Sequence, residues 1–518
     1  VVSTVSSIAA QLIPASATDP DRVAVVCESG ATLSYGELGD RAARLAGALR
    51  SRGLHTGDVV AVLADNSPTY LEMVWACRIA GLYYVVLNTH LGADEIGFIV
   101  TDSGAGAVLA SAALPVVAEL RADLVPGVGT WLLLDATDTG SWPGWEDYEA
   151  VVGAAHPLDG ECEYEGDLLQ YSSGTTGRPK GIKRALRLAP KTPGDDAYTF
   201  LVSLIGITDR SVYLSPAPLY HSAPITWTMA VLRLGGTVVL MRKFEPVAAL
   251  SLIEQHRVTH AQFVPTMFTR MLKLPEADRA HDVSSLEGVV HAAAPCPVDI
   301  KRRMIDWWGP IVAEYWSSSE GAGFTFISAA EWLDHPGSVG RSLLGPLHIC
   351  DADGRELPIG AEGVIWAEAP EFSYLNDADK DAETTSTQGW RTVGDVGRLD
   401  EEGYLYLTDR ASFMIISGGV NIYPQEAENA LVEHPRVYDA AVVGIPDEDL
   451  GEVAVAVVQP LDPADAGPEL AAVLSAWCEQ RLARYKCPRR FEFVAELPRS
   501  DTGKLYKRQI REQIAGRS

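Results

Sequence analysis

A chain of 518 residues exceeds what one ordinary hydrophobic core supports, so two or more domains are expected. Its 47% hydrophobic content excludes a disordered or fibrous chain. The formal net charge of -27 excludes general nucleic-acid binding through a basic surface, while leaving room for a local cationic pocket.

Residues 1–10 lack the basic start of a signal peptide and read as a short amphipathic helix. No apolar run approaches the length of a membrane span. Residues 23–27 read as a strand, and 32–38 open a helix with Ser34 and Glu37 at capping-box spacing. Leu38, Ala42, Leu45, Ala46 and Leu49 follow at helical period until Gly53. Residues 59–63 are a buried-type strand, and Ser67-Pro68 caps and starts the next helix, stopped by Gly81. Strands at 84–87, 107–110 and 131–134 continue an alternation that predicts a doubly wound, mostly parallel sheet. The acidic run 159–167 reads as a solvated connector, and 167–171 as a short strand.

A second alternating block follows: strands at 212–214, 237–241, 261–264 and 289–293, with helices at 225–234 and 247–256. From Gly340 the chain becomes turn-rich, as in a small antiparallel unit. Past Arg410 a helix at 424–433, strands at 437–443 and 453–459, and a helix at 470–482 predict a small mixed domain. The fold class expected is α/β: a large N-terminal body of doubly wound α/β subdomains plus a small antiparallel β unit, then a small mobile α+β domain. The boundary is placed at 1–410 and 411–518. The seven cysteines are scattered, odd in number and without a CxxC pair, which reads as reduced thiols of a cytoplasmic protein. Cys296, between two prolines, and Cys487, before one, read as small buried hydrophobes.

The most informative stretch is Tyr171-Ser-Ser-Gly-Thr-Thr-Gly-Arg-Pro-Lys-Gly181. Gly174 and Gly177 let backbone N–H groups face an anion, Ser172, Ser173, Thr175 and Thr176 add hydroxyl donors, and Lys180 adds a positive charge. Together they suit a polyphosphate; the alternative is a flexible surface turn. The glycine spacing is not that of the ordinary NTPase P-loop, and Gly181 follows the lysine. There is no Gly-x-Ser-x-Gly elbow of a serine hydrolase and no His/Cys metal spacing.

This run resembles the signature of the adenylate-forming superfamily, which includes acyl-CoA synthetases, peptide-synthetase adenylation domains and firefly luciferase. The resemblance extends from about residue 32 to 508, and is closest in appearance to bacterial fatty- or aryl-acid CoA ligases. It implies that His221 lies near the carboxylate of the acid, and that Ala293, Ala294 and Pro295 of His291-Ala-Ala-Ala-Pro295 lie beside adenine. Glu314-Tyr-Trp-Ser-Ser-Ser-Glu320 is similar to the family's Tyr-Gly-x-Thr-Glu, with Trp316, Ser317 and Ser319 replacing tyrosine, glycine and threonine. Trp316 would then stack on adenine, Ser319 meet the α-phosphate, and Glu320 hold Mg²⁺, which commonly takes one or two carboxylates plus phosphate oxygens. Asp395, in Trp390-Arg-Thr-Val-Gly-Asp395, and Arg410 are implied as ribose contacts. Pro498-Arg-Ser-Asp-Thr-Gly-Lys504 resembles the family's catalytic-lysine loop, which gives Lys504 the acid carboxylate and α-phosphate.

The segment 414–424 resembles the loop that swings toward the pantetheine arm of CoA, with Gly418 and Gly419 at the acceptor tunnel. At the hinge the order is Arg410-Ala-Ser-Phe413, where relatives often carry an aspartate or lysine; Ser412 takes that place. Candidate acid-pocket residues are Trp227, Phe263, Thr266, Ala292, Ser318 and Gly321. The expected function is ATP- and Mg²⁺-dependent activation of a carboxylic acid through an acyl-adenylate, followed by transfer to CoA. An amine acceptor, giving an amide, is the alternative, and a nucleotide-binding protein without chemistry a further one.

Overall fold

A computed structural model describes residues 6–121, 124–136, 139–172, 179–192, 195–351, 353–369, 372–447, 449–500 and 503–515. Packing divides the chain into two units: residues 1–263, 274–290 and 371–381, and residues 264–273, 291–370 and 382–518. This division by packing interleaves segments distant along the chain.

In the first unit a five-stranded parallel sheet runs Tyr83–Val86, Val59–Leu63, Ala105–Ser111, Thr130–Leu134, Glu146–Asp147. Every residue of Val59–Leu63 is buried, as a parallel strand covered on both faces requires. A second parallel array places His260–Phe263, Val212–Ser215, Thr237–Leu240 and Val23–Cys27 side by side, with Thr32–Ser34 antiparallel at its edge. Ser34 starts helix Tyr35–Ser51 through a complete capping box: its Oγ accepts from the Glu37 N–H at 3.2 Å, and Glu37 Oε2 accepts from the Ser34 N–H at 2.9 Å. Ser67 Oγ likewise accepts from the Tyr70 N–H, with Pro68 in the first turn of Pro68–Ile79. Strands Gln170–Ser172 and Lys180–Lys183 pair antiparallel and flank the glycine-rich run, and Ser373–Tyr374 completes that sheet.

The solvated connector expected at 159–167 is corrected at its end. Glu165 is buried and paired with both Arg78 and Arg233. Arg233 also lies 3.0 Å from Asp196, and the two guanidiniums sit 5.3 and 5.4 Å from the Trp75 ring centroid. The local acidity that suggested solvent was meant for arginines distant in sequence, as a buried carboxylate demands.

In the second unit, Val312–Ser317, Phe324–Ile327 and Arg341–Ser342 pair antiparallel. A four-stranded antiparallel sheet follows, ordered Leu347–Cys350, Gly363–Ala367, Asp395–Leu399, Leu405–Arg410, as the turn-rich texture predicts. The C-terminal sheet orders Val420–Ile422, Ile415–Ser417, Gly451–Pro460, Val437–Asp447, with Arg490–Phe493 parallel to Gly451–Pro460. Alternation along Val437–Asp447 feeds two cores: Ala440 and Val442 pack with Leu431, Leu470 and Leu474, while Ala441 and Val443 pack with Ile510 and Ile514. Two helices absent from the sequence reading, Pro265–Leu272 and Val298–Trp308, also belong here.

Candidate active site

Ser173, Gly174, Thr175, Thr176 and Gly177 lie outside the described residues, as does the side chain of Ser172. The base of the run is described. Lys180 Nζ lies 2.5 Å from Asp377 Oδ2, and this pair holds the Asp377 carboxyl below its usual range. Tyr171 donates to Asp102 at 2.7 Å, and the same carboxylate accepts from Asn376 at 3.1 Å. A cation suited to a phosphate is thus already fixed beside the strand that leads into the glycine-rich run.

His221 is the residue before helix Ser222–Leu234, with extended backbone and its ring 4.6 Å from that of Tyr220. It is half-buried at the positive end of a 13-residue helix, a setting that favours a carboxylate. Trp227 and Phe263 are buried in the first unit, at 2% and 1% exposure, so each is a core residue in its own element.

The second unit brings a larger set together. Asp395 and Arg410 are register partners on adjacent strands, and Arg410 Nε lies 3.0 Å from Asp395 Oδ1. The other carboxylate oxygen, Oδ2, accepts from Trp316 Nε1 at 2.8 Å. Asp395 is therefore aimed by two donors. Trp316 was expected to stack on adenine. Its indole packs with Val339, Leu347, Ile349, Ile365, Ala367 and Leu405. Room for it comes from Gly323, where a Cβ would lie 2.8 Å from Trp316 Cζ3. Tryptophan in place of tyrosine thus extends the core and reaches Asp395.

Beyond Trp316, the serine run forms a tight loop: the Gly321 N–H donates to the Ser318 carbonyl at 3.0 Å and the Ala322 N–H to Ser318 Oγ at 3.2 Å. Ser317 Oγ donates to the Gly323 carbonyl at 3.1 Å. Ser319 and Glu320 are half-buried on this loop. The small-residue loop shows strain where close approach to a flat ring is expected: Ala293 has φ of 77°, a left-handed conformation rare for a residue with a Cβ. Ala292 is buried and Ala294 and Pro295 are half-buried. Behind both loops lies a polar group outside the expected set. Lys301 Nζ is 2.6 Å from Glu314 Oε2, His291 Nε2 is 3.4 Å from the same oxygen, and all three side chains are buried. Burial pushes the Glu314 carboxyl up and His291 well down, so the histidine is neutral.

Lys504 joins this group. Lys504 is an exposed residue, yet neighbouring protein desolvates its ammonium and Arg410 adds a like charge. Against the attraction of Glu320 and Asp395 these lower its pKa to about 8. Gly503, with φ of 76°, lets the loop close onto Thr266: a Cβ there would collide with Thr266 Oγ1 and lie 2.8 Å from Cγ2. Thr266, expected in the acid pocket, is thus also the seat of the lysine loop. Gly418 and Gly419 have φ of 57° and 78° and form the two-residue turn between Ile415–Ser417 and Val420–Ile422, where glycine is required by the turn itself.

Among the described residues no three His, Cys, Asp or Glu side chains gather as a metal cage. Glu320 alone fits the mode in which Mg²⁺ takes one carboxylate and fills its remaining positions with phosphate oxygens and water.

Residues 14–373 match the family model "AMP-binding enzyme" and residues 426–504 its companion "AMP-binding enzyme C-terminal domain". The chain is 36% identical over 502 residues to a feruloyl-CoA synthase from an Amycolatopsis species, covering 94% of this chain and 95% of that one. Among solved structures it is similar to ATP-bound MatB from Rhodopseudomonas palustris, at 28% identity and a TM-score of 0.81 over 98% of both chains. It is also similar to the amide bond synthetase McbA from Marinactinospora thermotolerans, at 29% identity and a TM-score of 0.81, covering 98% of this chain and 99% of that one. The family models and these relatives thus define an AMP-forming ligase. The chain belongs to the AMP-binding enzyme family of the adenylate-forming superfamily.

Proposed function

We propose that this chain activates a carboxylic acid with ATP and passes the acyl group to the thiol of CoA. A carboxylate oxygen of the acid attacks the α-phosphorus and the bond to the pyrophosphate leaving group breaks. Lys504 offsets the negative charge that builds up on the phosphoryl oxygens, as a preplaced cation does best away from bulk water. Asp395, held by Arg410 and Trp316, receives the ribose hydroxyls, and the loop from Ala292 to Pro295 lies against adenine. The residues 172–177 and Lys180 take the phosphates, with Asp377 yielding Lys180 to the stronger anion. Glu320 would hold Mg²⁺, which would supply countercharge to the phosphates. In the second step the CoA thiol releases its proton to solvent, its sulfur attacks the acyl carbon, and AMP departs with the electrons of the mixed-anhydride bond.

The observation that carries this reading is the gathering of Lys504 with Glu320, Asp395 and Arg410 in one packing unit, although the four are spread over 185 positions from 320 to 504. The matching relative named as a CoA synthase supports a thiol acceptor, while the similarity to McbA supports an amine. Lys504→Ala is expected to lower acid-dependent ATP–pyrophosphate exchange by about 100- to 1,000-fold with an unchanged melting temperature. Exchange at the parent rate would remove Lys504 from the mechanism. The acceptor is read by giving acid, ATP and Mg²⁺ either CoA or a panel of amines and identifying the product by mass. Acyl-CoA is expected; AMP release accelerated by amines and not by CoA would reassign the second step.

A further inference from the structure

The strand Val437–Asp447 enters its sheet irregularly: Val437 pairs with Pro460 and Asp439 with Gln459, so Tyr438 is skipped. The carbonyls of Val437 and Tyr438 both face one cation, and Lys273 Nζ donates to them at 2.7 and 2.6 Å. The same ammonium lies 5.3 Å from the Tyr438 ring centroid. Asp439, next in the bulge, takes a two-pronged bond from Arg499, 2.5 Å to Nε and 2.7 Å to Nη2. Arg499 Nη1 in turn donates to the carbonyl of Gly503, the residue before Lys504.

Both ends of one short helix therefore hold the lysine loop. Thr266 in the first turn of Pro265–Leu272 meets Gly503 directly, and Lys273, the residue that ends the helix, reaches the loop through the bulge and Arg499. A lysine drawn out of water onto two backbone carbonyls, with no carboxylate of its own within bonding distance among the described residues, is a costly arrangement for mere packing.

We infer that Lys273, acting through the Val437–Asp439 bulge and Arg499, is a positioning residue that holds Lys504 in place for adenylate formation and is not needed for acyl transfer. This rests on the role proposed for Lys504, so the test has an arm independent of catalysis. The Gly503 N–H donates to the Ser500 carbonyl at 2.7 Å and the Lys504 N–H to Ser500 Oγ at 3.1 Å, so both report on loop order by hydrogen exchange. In the full-length protein, Lys273→Met is expected to speed exchange across residues 497–506 at least about threefold. ATP–pyrophosphate exchange should fall about tenfold or more, the effect of one lost charge-assisted hydrogen bond. Transfer from supplied acyl-adenylate should stay within about twofold of the parent. Lys273→Arg, which keeps the charge and donors, should restore most of the exchange activity, and Arg499→Met should reproduce the Lys273→Met pattern. An unchanged hydrogen-exchange pattern, or equal losses in both half-reactions, would overturn the inference. Faster hydrogen exchange together with an active Lys504→Ala variant would leave the brace standing and remove only the proposed role of Lys504.

Discussion

At the scale of residues, Lys504 and Trp316 carry the sharpest expectations. The pKa of Lys504 is lowered to about 8, chiefly by crowding and then by Arg410. Between that value and the ordinary 10.5 the folded chain holds less of this proton than the unfolded one. Stability therefore rises with pH through that window, while the reactive ammonium is lost. kcat/KM for ATP in the free enzyme should fall with an alkaline limb near pH 8. Lys504→Arg, slower throughout, should lose that limb; a parent profile flat to pH 10 would contradict the assignment. Trp316→Phe keeps a ring but removes the donor to Asp395. Its expected effect is a rise of about tenfold in KM for ATP with kcat little changed, as for a hydrogen bond to a charged group. An unchanged KM would mean that Arg410 alone aims Asp395.

At the scale of elements, legibility followed the range of the signal. The capping box at Ser34 and Glu37, the Ser67-Pro68 start and the buried run 59–63 are all local, and each stands where the spacing places it. Ser34→Ala should cost about 1 kcal/mol by loss of the cap, read as a lower midpoint in chemical denaturation. What composition could not reveal were partnerships formed on folding. Glu165 sits in an acidic run, and only the fold brings Arg78 and Arg233 to it. Pro265–Leu272 was missed because it is short and follows a strand without a polar break, so its apolar residues extend the strand's own pattern. Its last-turn neighbour Lys273 had no motif to mark it.

At the scale of the whole molecule, motif residues were legible as candidates because glycine spacing and hydroxyl runs survive as strings. Their supports, Lys301 beside Glu314 and Arg499 beside Asp439, are pairings 13 and 60 positions apart that no motif contains. The net charge of -27 sets a further expectation. CoA is strongly anionic, and the Debye length shrinks from about 30 Å at 0.01 M salt to about 8 Å at 0.15 M. The second-order rate with CoA should therefore rise over that range as long-range repulsion is screened. A rate that falls with salt would reveal a basic rim strong enough to reverse the field of the whole chain.

The seat of Gly503 on Thr266 makes one glycine a divide between two kinds of catalyst. Alanine at 503 would be strained at a φ of 76° and would strike Thr266, so Lys504 could not be delivered. With the role proposed for Lys504, a lineage drifting to alanine there would lose its claim on ATP while keeping the surfaces that receive an acyl-adenylate. It would live on activated acids made by others. For synthesis the same change offers a decoupled enzyme, fed with ready-made mixed anhydrides and relieved of the nucleotide.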